Sequence, residues 1–330
     1  MRVRVAVGGV AATLVLVFGV VAAVAGVGPW KVVSSPNPQF TNVLAGVAVL
    51  GADDAWSVGA TGPSESGPLS TLVEQWDGTS WSVVASPSPG GSDSLASVSA
   101  TGADDVWAVG ETGASGLGPF STLVEHWDGA GWSVVVSPSP GDSSSLSGVA
   151  ALSGSDAWAV GSMTSGGVQQ ALVEHWDGTS WNVVASPALA GSGLASVSPL
   201  WENDVWAVGD TAAGGVFTTL TEHWDGTSWT VVPSPSPGTL SVLLGVSAVR
   251  TGNVWAVGDA NTNPAQPFYA QALIEHWDGS NWTVTQSRIG NTGSYLAGID
   301  FALPKHGITV GSTHTASGQD LTLIQQFAHG

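Results

Sequence analysis

The phrase Leu172-Val173-Glu174-His175-Trp176-Asp177-Gly178-Thr179-Ser180-Trp181 recurs almost unchanged along this chain, and no other feature restricts its folding as strongly. Its first tryptophan falls at Trp76, Trp127, Trp176, Trp224 and Trp277, and its second at Trp81, Trp132, Trp181, Trp229 and Trp282. A companion phrase, Asp-x-Trp-Ala-Val-Gly in its commonest form, precedes each copy. It carries Trp56, Trp107, Trp158, Trp206 and Trp255, which are 51, 51, 48 and 49 residues apart. A fixed period of this length marks a repeat architecture, in which no unit can bury its apolar face alone and neighbours must cover it.

Each repeat divides into four short runs rich in Val, Leu and Trp and bounded by Gly, Asp, Ser and Pro, the pattern of an all-β fold. The first runs open at Leu44, Leu95, Leu146, Leu194, Leu243 and Leu296; the second is Trp-Ala-Val, the third Leu-Val-Glu-His-Trp and the fourth Trp-x-Val-Val. Asp-Gly between the third and fourth runs predicts a tight hairpin. Ser-Pro-Ser-Pro after the fourth ends the sheet, because proline cannot donate to a ladder. The last repeat lacks a fourth run, whereas Trp30-Lys31-Val32-Val33 is a fourth run with no third before it. That complementarity predicts a closed six-bladed β-propeller over residues 26–330, the N-terminal strand completing the last four-stranded antiparallel blade. Closure also removes the open edges that invite aggregation.

The period and the four-stranded unit resemble kelch repeats. The Asp-Val-Trp-Ala-Val and Trp-Asp-Gly-Thr-Ser-Trp wording resembles tectonin repeats, and the text as a whole is similar to secreted bacterial proteins built of the same phrases. The resemblance covers residues 30–330 and implies a propeller; tectonin repeats further imply glycan binding. The pattern departs from kelch in having one glycine (Gly59, Gly110, Gly161, Gly209, Gly258) where a pair is usual, and its unit is longer than a tectonin unit.

Arg2 and Arg4 precede an unbroken small and apolar run, and Ala23-Val24-Ala25 offers a cleavage site, so residues 1–25 read as a signal peptide; an uncleaved anchor through residues 5–25 is the alternative. Either places the remainder in a secreted or extracytoplasmic setting. Four basic residues then face 25 acidic ones, a net charge of −21, which argues against nucleic acid and anionic lipid as partners. The chain has no cysteine, which excludes disulfides and thiolate chemistry. No cofactor or metal is expected, and the protein is expected to be a monomer.

The pairs Glu125-His126, Glu174-His175, Glu222-His223 and Glu275-His276 suggest acid–base or metal chemistry, but adjacent strand residues point to opposite faces. Glu74-Gln75 and Gln325-Gln326 hold the same places, so a structural role is expected. Asp54, Asp105, Asp156 and Asp204 alternate with Asn253, which predicts turn capping, with structural calcium as the alternative. No nucleophile elbow, zinc or phosphate-binding motif occurs.

Recognition is therefore expected where repeats differ, on the rim formed by the connections between second and third strands (60–70, 111–121, 162–170, 210–218, 259–271 and 312–320). The candidate ligand-binding residues are Phe268, Tyr269, Arg288, Tyr295 and His314, in the fifth and sixth repeats. Asp300 is the one axial candidate, because Ala48, Ser99, Ala150, Ser198 and Ser247 stand at the matching places. The expected function is recognition of a glycan or surface polymer. A protein-interaction or purely structural module is the alternative, and a hydrolase or lyase the third possibility.

Overall fold

The computed structural model describes residues 2–7, 10–15, 33–64, 66–187, 189–261, 270–285, 293–303, 306–314 and 320–328. Every regular element among them is a β-strand. Arg2–Val7 and Val10–Val15 pair as an antiparallel ribbon. No helix among the described residues is long and apolar enough to cross a membrane. The chain divides into two compact bodies, Met1–Val135 with repeats 1 and 2, and Val136–Gly330 with repeats 3 to 6.

Each repeat is an antiparallel meander, as in Ser143–Ser153, Asp156–Ser165, Val168–Trp176 and Trp181–Val183 of repeat 3. Repeats 1, 2, 4 and 5 have the same four strands, and repeat 6 has three described strands, Ser294–Leu303, His306–His314 and Asp320–Ala328. Of the segment expected to complete it, Trp30–Lys31–Val32 lies outside the described residues.

Two sequence constants have direct geometric causes. Asp177 Oδ1 accepts the N–H groups of Thr179 and Ser180, each at 2.9 Å, and Gly178 takes φ +89°, so Asp-Gly closes the last hairpin as an Asx-turn. The glycine of the companion phrase is set by sterics instead. The first strand bulges after its leucine, between Leu146 and Gly148 in repeat 3, and pushes the Ser145 carbonyl toward the second strand. A Cβ on Gly161 would lie 2.0 Å from that oxygen, and Gly59, Gly110, Gly209, Gly258 and Gly311 face the same clash.

The first strands of successive repeats also approach closely. A Cβ on Gly46 would come within 3.0 Å of Ser97 Cα, and one on Gly245 within 3.1 Å of Gly298 Cα. Tryptophans fill the space between sheets. Trp56 packs on Trp127 and Trp132 of the next repeat at 5.0 and 5.4 Å. Trp158 on Trp224 and Trp229, and Trp206 on Trp277 and Trp282, repeat that geometry. Valine and leucine from both sheets close around each cluster. Serines at the start of the first strands tie neighbours together: Ser192 Oγ accepts the Ala171 N–H at 2.9 Å, and Ser294 Oγ the Ala272 N–H at 3.3 Å.

Candidate functional site

Each sheet has a hairpin end, where the first strand turns into the second, and an opposite end with the connections between second and third strands. At the hairpin end, His126 Nε2 lies 2.8 Å from Asp105 Oδ1, and His175–Asp156 and His223–Asp204 match it at 2.9 Å. The register explains these pairs. Trp107 is directly opposite His126, and Asp105 is two residues back on the same face. Each imidazole lies on that tryptophan, with ring centroids 4.2 Å apart for Trp107 and His126 and 4.3 Å for Trp158 and His175. In repeat 5, Asn253 Oδ1 can only accept, so His276 donates its Nε2–H at 2.8 Å; in repeat 1, Gln75 Nε2 donates to Asp54 Oδ1 at 3.4 Å.

These contacts correct the expected role of the aspartates. Asp54, Asp105, Asp156 and Asp204 bond across to the third strand, while turn capping belongs to Asp77, Asp128, Asp177, Asp225 and Asp278. Both error and remedy were legible in spacing, since an aspartate two residues before the tryptophan shares its face.

The glutamate beside each histidine points the other way, into the sheet interface. Glu74, Glu125, Glu174, Glu222 and Glu275 are all 0 % exposed. Ser186 Oγ donates to Glu222 Oε2 at 2.8 Å, but neither oxygen of Glu74 or Glu174 has a hydrogen-bond partner among the described residues. Loss of hydration drives their carboxyls up, to about 8 for Glu125, Glu174 and Glu275 and about 7 for Glu222. At neutral pH Glu125, Glu174 and Glu275 are therefore largely neutral acids, and all five glutamates are buried out of reach of any ligand.

The opposite end differs between repeats, though less than the sequence suggests. In repeats 3 and 4 the strands run on to two-residue turns, Gly166-Gly167 and Gly214-Gly215, with positive φ at all four glycines. The long connection of repeat 5, with Phe268 and Tyr269, lies outside the described residues, as does Arg288. Tyr295 is 40 % exposed and pairs with Ser312, two positions from His314, so the register puts these two candidates at one end of one sheet. Sequence reasoning missed the acids here. Glu111, Asp210 and Asp259 follow the glycine of the companion phrase in repeats 2, 4 and 5. Burial pushes Glu111 and Asp210 up to about 7, with the Asp259 charge adding to the effect on Asp210, and Asp259 up to about 6.

Asp300 pairs with Ile308 as Ala150 pairs with Trp158, which bears out its register position. It is exposed, and its Oδ1 accepts the Phe301 N–H at 2.8 Å. Among the described residues no group of three or more His, Asp or Glu side chains is placed to hold a metal ion.

No protein-family model matches this chain, and no curated protein matches it in sequence. Solved structures do. A protein of unknown function from Dyadobacter fermentans aligns with 13 % identity over 87 % of this chain and 95 % of its own, at a TM-score of 0.56. A Hadza microbial sialidase aligns with 12 % identity and a TM-score of 0.56 over 86 % of this chain, which spans 65 % of the sialidase. An ulvan lyase, a polysaccharide lyase bound to GlcA(1-4)Rha3S, aligns with 11 % identity and a TM-score of 0.51 over 84 % of this chain and 77 % of its own. At these identities the likeness concerns the fold alone: an all-β propeller of small antiparallel sheets.

Proposed function

We propose that this protein is an extracytoplasmic binding module that recognises a glycan or related surface polymer on the end of its sheets opposite the first hairpins. One observation carries the proposal. The repeated groups capable of chemistry are consumed inside the fold, the glutamates by burial and the histidines by their aspartate partners and tryptophan platforms. What remains for a ligand is the side chains that change from repeat to repeat, and a rigid scaffold with variable tips is a common form of recognition surface. Phe268, Tyr269, Arg288, Tyr295 and His314 are the proposed contacts, Tyr295 being the one whose exposed side chain is described.

We further propose six blades, the last completed by Trp30 to Val33, on the support of the fourth-run pattern that these residues carry with no third run before them. Deleting residues 26–38 should then lower the melting temperature steeply, and an unchanged melting temperature would refute closure. The sialidase and polysaccharide lyase of the same fold are why the screen starts with sugars. The test is a glycan array probed with residues 26–330 and with the Tyr295→Ala variant. Binding by the parent, weakened at least tenfold in the variant while the melting temperature holds, supports the site. Binding that survives unchanged in Tyr295→Ala moves it elsewhere. The neighbouring acids Asp210 and Asp259 favour a second reading, acid–base cleavage of the same polymer. Release of new chain ends that vanishes in Asp210→Asn would establish it.

A further inference from the structure

We infer a second carbohydrate-binding site at the opposite, hairpin end of repeats 4 and 5, built on Trp201 and Arg250 and shaped for a neutral pyranose. Trp201 is the one tryptophan after residue 30 outside the repeat pattern, and it is 62 % exposed, whereas the first strands of repeats 2 and 3 end in Gly102 and Ser153. Register makes Arg250 its counterpart in the next repeat: Trp201 pairs with Asp204 as Arg250 pairs with Asn253.

The two strand ends are held side by side. The Ala248 N–H donates to Ser198 Oγ at 2.9 Å, and Thr251 Oγ1 donates to Asp204 Oδ2 at 2.9 Å. The Trp201 turn is fixed from below as well, because Trp224 donates its indole N–H to the Glu202 carbonyl at 3.2 Å. Arg250 is exposed, and among the described residues it is the sole basic side chain beyond Arg2 and Arg4. In a chain of net charge −19 it makes no ion pair with a described acid, and Trp201 makes no ring contact with a described partner. Among the described residues, neither the guanidinium nor the indole has a packing role that accounts for it.

The chemistry points to a sugar of a particular kind. An exposed indole face stacks on the C–H face of a pyranose. The Arg250 fork donates to hydroxyl pairs, and the exposed Glu202 carboxylate, one residue from Trp201, accepts from them. The field of the whole chain, at net charge −19, repels polyanions. That repulsion selects a neutral hexose polymer over a uronate or sulfated one.

The experiment is native affinity electrophoresis of the full mature protein in gels containing hydroxyethylcellulose, laminarin or galactomannan, with alginate and polygalacturonate as acidic counterparts. Retardation is expected in at least one neutral gel and in neither acidic one. Trp201→Ala and Arg250→Gln should each weaken it at least tenfold with unchanged melting temperatures, a dependence that the opposite site would not produce, and Val183→Ala, at an exposed position outside both sites, should not. The inference is overturned if no neutral gel retards the protein, if retardation is confined to acidic gels, or if both variants bind as the parent does. It is also overturned if sedimentation shows a dimer that Trp201→Ala dissociates, since the indole would then belong to a contact between copies.

Discussion

Replacing Glu174 by glutamine should stabilise this protein at alkaline pH and leave it unchanged in mild acid. Glu174 is 0 % exposed, neither oxygen has a described partner, and burial alone moves its carboxyl from an ordinary 4.5 to about 8. In the unfolded chain the group ionises near 4.5, while in the folded protein it stays protonated to about 8. Folding is therefore unpenalised below 4.5 and loses stability as pH rises between the two values. Above 8 the loss is complete. Each tenfold change in proton affinity is worth about 1.4 kcal/mol, so the full displacement amounts to roughly 5 kcal/mol at most, less whatever local relaxation and water entry recover. Glutamine carries no charge to desolvate, and Gln325 already occupies the equivalent place in repeat 6. Melting followed by circular dichroism from pH 4 to pH 9 is the assay. The parent should lose stability between pH 5 and 8, and Glu174→Gln should recover about 2–5 kcal/mol at pH 8. Glu202→Gln removes the same charge from an exposed position and controls for general repulsion. A parent curve that is flat or rises over that range, or equal gains from the two variants, would refute the reasoning.

Other consequences are simpler to test. On the acid side, Asp77, Asp128, Asp177, Asp225 and Asp278 are held below their ordinary values by hydrogen bonds, mainly from turn N–H groups and, at Asp177, first from the Thr179 hydroxyl. Stability should therefore fall again as pH drops from about 4 toward 2, and the melting temperature should peak between the two slopes. Trp158, 2 % exposed, should cost about 3–5 kcal/mol on truncation to alanine, and half-buried Trp176 clearly less, as read from urea midpoints. Gly161→Ala should destabilise by roughly 3 kcal/mol or more through the clash with Ser145, while Gly131→Ala, with nothing within 4 Å, should be near neutral. Asp156→Asn should be tolerated, because Asn253 makes the same bond to His276, whereas Asp156→Ala should cost about 1 kcal/mol.

Local chemistry was legible in the sequence wherever a residue's role depends on its own strand or turn. Short apolar runs bounded by turn residues and a period near 50 residues specified small antiparallel sheets, and Asp177-Gly178 specified a hairpin through its own side chain and positive φ. The opposed faces of Glu174 and His175 followed from strand parity, and the structure keeps them apart in that way.

Tertiary structure decided everything that depends on a second strand or a second sheet. Gly161 is required because a bulge on the neighbouring strand aims a carbonyl at it, and nothing in its own segment shows that. The aspartate before the second-strand tryptophan faces a histidine some twenty residues away instead of its own turn, which only register reveals. Trp158 and Trp176 look alike in the repeat, yet the next sheet buries the first and leaves the second half open. The same holds for function. Trp201 and Arg250 are 49 residues apart and stand in unrelated local sequences. They become one surface because adjacent first strands pack edge by edge, and a contact between repeats leaves no trace in the order of residues within either one.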